Sequence, residues 1–275
     1  MDSMTNEDNS QNAPAIGLAA NRRLGFMCLQ QLIDAEMAPT TLLVPKGKSA
    51  DMWTAKTVDL FERSCGGLVI AGKSFREADG ISRLGDQHLD YMISIHFPYI
   101  VPQEVLDLPR IGTLNLHPAF LPYNRGWHTP SWVIVDGTPY GATLHWMDAG
   151  VDTGDIAMQR QVAVRPGDTA DSLYQRVLDA ELDLFRDAIP AIATNELPRI
   201  PQVEEGTEHR KSDLAPYQAL DLKQSQTVGE TLKQLRALTT NSWGEAACFE
   251  EDGIVYRIRV EMQAEPVKQA ERKAA

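Results

Sequence analysis

The sequence predicts an α/β fold: a mostly parallel sheet with helices on both faces, followed by a small C-terminal helix and β-hairpin unit. Three observations carry this reading. Apolar runs AIGLAA (15–20), TTLLVP (40–45), GLVIAG (67–72) and YMISIHF (91–97) are nearly continuous. They alternate with helix-like stretches, which implies crossover connections between parallel strands buried on both sides. A short segment after the last long helix carries its own capping and hairpin signals. The layout is Rossmann-like.

Each element follows in order. Residues 1–14, MDSMTNEDNSQNAP, are polar and bury little, which predicts a disordered leader. The strand at 15–20 leads into RRLGFMCLQQLIDAE (22–36), and the strand at 40–45 into MWTAKTVDLFERS (52–64). Strands at 67–72 and 91–97 follow, then TLNLHP (113–118), YGATLHWM (140–147) and DIAMQRQVAV (155–164). A helix covers about 169–190, where Asp168 and Thr169 offer caps and Leu173, Val177 and Phe185 supply part of an apolar stripe. A main domain over 15–192 results.

Two prolines and the run QVEEGTEHRK mark 193–212 as a linker. In 213–263, Thr227 and Glu230 form a capping box opening TVGETLKQLRAL, and AACFEEDGIVYRIRV turns at Asp252-Gly253. A unit this small is expected to pack on the main domain or on a partner subunit. The tail, 264–275, reads as disordered.

Composition excludes several classes. With 26 Lys+Arg against 38 Asp+Glu the net charge is −12, which repels phosphate backbones in bulk and argues against broad nucleic-acid binding. Cys28, Cys65 and Cys248 form no CxxC pair, so neither a disulfide framework nor a cysteine zinc site is suggested. There is no basic-then-apolar leader and no apolar run of membrane-spanning length, so a soluble cytoplasmic protein is expected.

The first loop lacks both phosphate-cradling motifs. Gly17 and Gly25 lie too far apart for G-x-G-x-x-G, and bulky arginines occupy the turn AANRRLG. Gly47-Lys48-Ser49 lacks the upstream glycine of a Walker loop.

Chemistry concentrates in TLNLHPAFLPYNRGWHTP and GATLHWMDAGVDTGDI. Asn115 and His117, two apart at the end of a predicted strand, put both side chains on one face, and Pro118 biases His117 toward an extended backbone. Asp152 lies in the polar turn AGVDTGD. If that turn reaches the same rim, the three form an amide donor, a base and a carboxylate that orients the base, a set suited to acyl transfer. By spacing alone, a structural histidine and an ordinary turn explain the same residues.

The run NLHPAFLPYNRG followed by VDTGDI resembles the signature of the formyltransferases that use 10-formyltetrahydrofolate. The likeness covers roughly 15–192 and implies that Asn115, His117 and Asp152 are the catalytic Asn, His and Asp. It further implies a pterin slot between Phe97-Pro98-Tyr99-Ile100-Val101 and the loop Asp148-Ala149-Gly150-Val151, an apolar slot edged by backbone donors and acceptors. The cosubstrate implied is 10-formyltetrahydrofolate.

Three acceptor branches separate. A methionyl-tRNA formyltransferase resembling the known ones carries a larger basic C-terminal domain, whereas residues 201–263 hold seven Lys+Arg against eleven Asp+Glu. Glycinamide ribonucleotide enzymes carry a glycine-rich loop that AANRRLG does not match. LPYNRGWHTPSW and HRKSDLAPYQALDL resemble the nucleotide-sugar N-formyltransferases, which implies a dTDP- or GDP-linked amino sugar as acceptor, a homodimer, and a place in lipopolysaccharide O-antigen biosynthesis. Expected acceptor contacts are Asn124, Arg125, Trp127, Tyr217 and Arg236, with Arg210, Lys211 and Trp243 as further candidates. No HxxxH or HExxH spacing occurs, so no metal is expected. The alternatives are a methionyl-tRNA formyltransferase-like enzyme or a formyltetrahydrofolate hydrolase and, from another class, a non-catalytic folate- or nucleotide-binding module.

Overall fold

A computed structural model describes residues 13–266. The expected leader and tail lie outside the described residues over 1–12 and 267–275.

The first part of the chain repeats strand–helix units. β1 (Ile16–Ala20) passes through Asn21, whose side chain accepts the Arg22 N–H, into α1 (Arg22–Asp34). β2 (Thr41–Val44) precedes α2 (Met52–Ser64), which Asp51 and Thr54 open with a reciprocal capping box. β3 (Leu68–Ala71) precedes α3 (Ala78–Gly85), and β4 (Tyr91–Ile95) the single turn α4 (Gln103–Leu106). β5 (Gly112–His117), the two-residue β6 (Arg125–Gly126) and α5 (Thr129–Asp136) follow. β7 (Gly141–Trp146) and β8 (Ile156–Gln161) then lead to the 25-residue α6 (Ala170–Thr194).

The seven-stranded sheet has the order β3-β2-β1-β4-β5-β7-β8. Pairing is parallel from β3 to β5 and antiparallel for β5–β7 and β7–β8. The chain thus builds outward from β1 to β3 and returns on the other side of β1 with β4. That reversal opens a crevice beyond the carboxyl ends of β1 and β4, where ligands bind in such sheets. Both faces are covered. Leu18, Ile93, Ile95, Leu114 and Leu116 pack with α1 and α6, while Leu43, Ile70 and Met92 pack with Phe75, Leu84 and Val105.

α5 was not expected, because HTPSWVIVD is apolar nearly all round and shows no amphipathic stripe. It forms because Pro130 sits in the first turn, where a missing N–H is harmless, and Gly137 closes it at φ 69°. Its Trp132 and Val133 are buried.

The C-terminal unit comprises β9 (Glu208–His209), α7 (Leu214–Gln218), α8 (Val228–Ala237) and the hairpin β10 (Ala247–Glu251) with β11 (Ile254–Ile258). The Thr227–Glu230 capping box is present. Trp132 from α5 joins Leu214, Leu238 and Ala247 in a small core between this unit and the main domain. The stretch read as a linker is laid against the main domain: Ile200 bridges Ile156, and β9 pairs with β6. No helix of the described residues is long and apolar enough to cross a membrane.

Candidate active site

A cavity of about 500 Å³ opens where β1, β4 and β5 end. Asn115 and His117 reach it from β5, on one strand face as their spacing suggested, and Asp152 comes to it from the loop after β7. Asp152 adopts φ 53°, a left-handed conformation that short polar side chains tolerate.

His117 Nε2 lies 3.5 Å from Asp152 Oδ2 and 3.4 Å from the Asn124 carbonyl. Both are acceptors, so the ring proton is held on Nε2 and Nδ1 is left with the lone pair. Burial lowers the His117 pKa, opposed by the Asp152 carboxylate. For Asp152, burial pushes upward, but His117, His145 and the Gly126 N–H outweigh it and hold the carboxyl well below the usual range. The resting arrangement is therefore a neutral imidazole beside a carboxylate.

Asn115 and His145 are partners across the β5–β7 register. His145 Nδ1 lies 2.8 Å from the Trp146 carbonyl, and its Nε2 lies 3.1 Å from Asn115 Nδ2 and 3.5 Å from Asp152 Oδ1. These contacts orient the Asn115 amide, whose N–H suits a developing oxyanion. His145 carried no distinguishing sequence signal; only the strand pairing identifies it.

The Asp152 loop is tied from several sides. Gly126 N–H donates to Asp152 Oδ2 at 2.9 Å. Gln202 Nε2 donates to the Asp152 and Gly154 carbonyls at 2.9 and 2.7 Å, and Arg125 holds Gln202 Oε1 at 3.1 and 2.6 Å. Asp148 Oδ1 accepts from Gly150 N–H at 3.0 Å and Thr153 Oγ1 at 2.6 Å. Asp148 and Gly150 shape the loop and do not line the cavity.

Other expected contacts divide. Phe97, Pro98, Tyr99 and Ile100 line the cavity, as does the half-exposed Trp127 with Lys211 Nζ 4.9 Å from its ring centroid. Val101 packs into the core beneath them. Asn124 is fully buried, donating to Thr138 Oγ1 at 2.7 Å, and acts on His117 through its carbonyl. Arg125 is engaged with Gln202 as above. Arg236 donates to the Asp168 and Arg165 carbonyls at 2.7 and 3.2 Å, pinning the turn before α6. Tyr217 packs beside the small core, its ring tilted against Trp132 at 6.0 Å between centroids. Neither Arg236 nor Tyr217 reaches the cavity, because small units bury their aromatics and spend their cations on carbonyls of the surface they dock on.

Residues not anticipated complete the cavity: Asn21 and Arg22 from the first loop, Asp171 and Tyr174 from α6, and Thr240, Asn241 and Glu245 from the C-terminal unit. Arg22, set aside for lack of a glycine loop, places its guanidinium 3.4 Å from Tyr174 Oη. Among the described residues no group of three or more His, Cys, Asp or Glu side chains is arranged to hold a metal.

Comparison with known proteins agrees with this geometry. The dTDP-4-amino-4,6-dideoxyglucose formyltransferase of Mycobacterium tuberculosis is 34% identical over 185 residues, 67% of this chain and 77% of that protein. A sugar N-formyltransferase from a Shewanella species shares the fold with a TM-score of 0.79 at 21% identity, over 92% of this chain and 99% of the other. A formyltransferase from Anoxybacillus kamchatkensis, solved with UDP-4,6-dideoxy-4-formamido-L-AltNAc and tetrahydrofolate, matches with a TM-score of 0.52 at 26% identity, over 64% and 88% of the two chains. An N-formyltransferase dimerization C-terminal domain model matches residues 213–264. The Formyl transferase family model matches residues 41–189, more than half of the sequence, and the chain belongs to that family of formyl-transferring enzymes.

Proposed function

We propose that this enzyme moves the formyl group of 10-formyltetrahydrofolate to the amine of a nucleotide-linked amino-deoxy sugar. The observation that carries the reading is the convergence of Asn115, His117 and Asp152 on one cavity with both apolar and cationic lining. Phe97 to Ile100 supply apolar lining that suits a pterin. Arg22, Lys211 and Trp127 supply groups suited to a diphosphate and a base.

In this reading the neutral acceptor amine attacks the formyl carbon. Asn115 Nδ2–H donates to the carbonyl oxygen as it becomes negative. His117 takes the amine proton on Nδ1, and the Asp152 carboxylate 3.5 Å from Nε2 stabilises the resulting imidazolium. The proton passes to the departing folate nitrogen, releasing tetrahydrofolate and the N-formyl sugar.

Residues 15–192 carry the chemistry, and residues 213–263 complete the acceptor lining and join two copies in a homodimer. The match to a dimerization domain over 213–264 supports the latter. The named activity of the mycobacterial relative and the formamido-sugar and tetrahydrofolate held by the Anoxybacillus enzyme support the choice of substrates. A cytoplasmic site of action fits both.

The test is incubation of the protein with 10-formyltetrahydrofolate and a panel of dTDP-, GDP- and UDP-linked amino sugars, read by mass spectrometry for addition of one formyl group. Folate binding without formylation of any sugar would move the acceptor to another amine or to water.

A further inference from the structure

A second carboxylate–imidazole pair lies in the same cavity, and the mechanism above makes no use of it. His96 follows β4 and lines the cavity, and its Nε2 lies 2.9 Å from Oε1 of Glu181 in α6. Glu181 is fully buried, and its Oε2 has no hydrogen-bond partner. Burying an ionisable carboxyl in an apolar helix face is expensive, so an apolar residue would stabilise the fold better at this position.

The backbone at His96 is equally specific. Ile93 and Ile95 belong to the core facing α1 and α6, and Met92 to the core on the opposite face. Continued alternation would send residue 96 to the Met92 side. Its φ of 50° breaks the alternation and turns the imidazole toward α6. Asn21 Nδ2 holds that turn by donating to the His96 carbonyl at 3.0 Å. A strained non-glycine residue gripped from two other elements marks a position whose orientation matters.

Glu181 Oε1 engages Nε2, and Nδ1 has no protein partner among the described residues, so it is open to a bound ligand. The ring is held against α6, which also brings Tyr174 to the cavity, whereas Phe97, the next residue, packs on the other face of the sheet against Phe75 at 5.5 Å.

We propose that His96 is an acceptor-contact residue, making a hydrogen bond through Nδ1 to a polar group of the amino sugar, and that Glu181 is the positioning residue fixing its direction. The inference rests on the acceptor reading given above.

The test separates the two cosubstrates. Steady-state KM is measured for whichever sugar of the panel the unmodified enzyme formylates, and the Kd of 5-formyltetrahydrofolate is measured by calorimetry. His96→Ala and Glu181→Leu are each expected to raise the acceptor KM about tenfold, the scale of one lost hydrogen bond in a desolvated site, with folate Kd changed less than about twofold. Glu181→Gln, whose amide can still bond Nε2, should fall between them and the unmodified enzyme.

His96→Ala strands a buried carboxylate and can fail to fold. The double variant His96→Ala/Glu181→Leu removes that charge and should match the single variants in acceptor KM, because the two residues act as one unit. Folded variants with an unchanged acceptor KM, or with the loss confined to folate Kd, overturn the inference while leaving the proposed function intact. An unmodified enzyme that formylates no sugar overturns both.

Discussion

Gly126 donates its N–H to Asp152 Oδ2 at 2.9 Å from a backbone at φ 89°, and a Cβ there would lie 2.4 Å from the His209 carbonyl. A glycine is thus required both by conformation and by the close approach of β9. Gly126→Ala is expected to destabilise the fold by about 1–3 kcal/mol, the scale of a strained backbone position. Turnover should fall with it, because the Asp152 carboxylate loses its anchor. Thermal denaturation and kcat measured on the same preparation check this, and a variant with unchanged kcat would detach the β6–β9 pairing from catalysis.

Asn115→Ala and His117→Ala should each lower kcat by about 10²–10³-fold, the range for loss of an oxyanion donor or a general base. Folate Kd should move little, because the proposed pterin lining is formed by other residues. Single-turnover measurement with saturating folate reads the chemical step directly. Near-normal turnover in either variant would remove that residue from the mechanism.

The titration of His117 has a definite sign. Burial lowers its pKa below the ordinary value of about 6.5, so it is neutral at pH 7 and its acid limb lies below about 6.5. The unfolded chain takes up this proton first. Stability contributed by His117 is therefore full above about 6.5 and is lost as pH falls through the folded-state value. Asp152 raises the His117 pKa, so Asp152→Asn should move its NMR titration midpoint further toward acid while depressing kcat. A shift toward alkali would mean that another carboxylate sets the imidazole's charge.

Cations inside and outside the cavity should behave differently. Arg22→Ala and Lys211→Ala are expected to raise the acceptor KM about tenfold each and to weaken its salt dependence, as for lost phosphate contacts. Arg236→Ala should leave that KM unchanged and cost about 1–3 kcal/mol of stability, because its bonds go to the Asp168 and Arg165 carbonyls. An Arg236 variant with weakened acceptor binding and full stability would restore it as a substrate contact.

The apolar residues exposed on the C-terminal unit, Val228 and Leu232 on α8 and Ile254 and Tyr256 on the hairpin, are the proposed contact between two copies. Ile254→Asp should convert the proposed dimer to monomer in sedimentation velocity without altering folate Kd. A dimer that persists would place the interface elsewhere.

The central sheet was legible because its strands are local signals: unbroken apolar runs bounded by caps and turns. Asn115 and His117 were legible for the same reason, since two residues on one strand face need no knowledge of the rest of the fold. What escaped notice depends on contacts far apart in sequence. His96 and Glu181 are separated by 85 positions, and only the left-handed turn at His96 brings them together. Arg22 was discounted because a glycine motif was missing, yet the strand-order reversal beside β1 delivers it to the crevice without one. Tyr217 and Arg236 misled in the opposite sense, since the needs of docking a small unit claim the residue types that a nucleotide would also recruit.

The cavity draws on separate stretches of chain: Asn115 and His117 come from β5 and Asp152 from the loop after β7, while Lys211, Thr240, Asn241 and Glu245 come from beyond α6. On the proposed function, part of the recognition surface is therefore encoded apart from the reaction centre. Substitutions after residue 210 would then retune which amine is accepted while Asn115, His117 and Asp152 stay untouched, so a lineage could acquire new sugar preferences by drift in one quarter of its coding sequence.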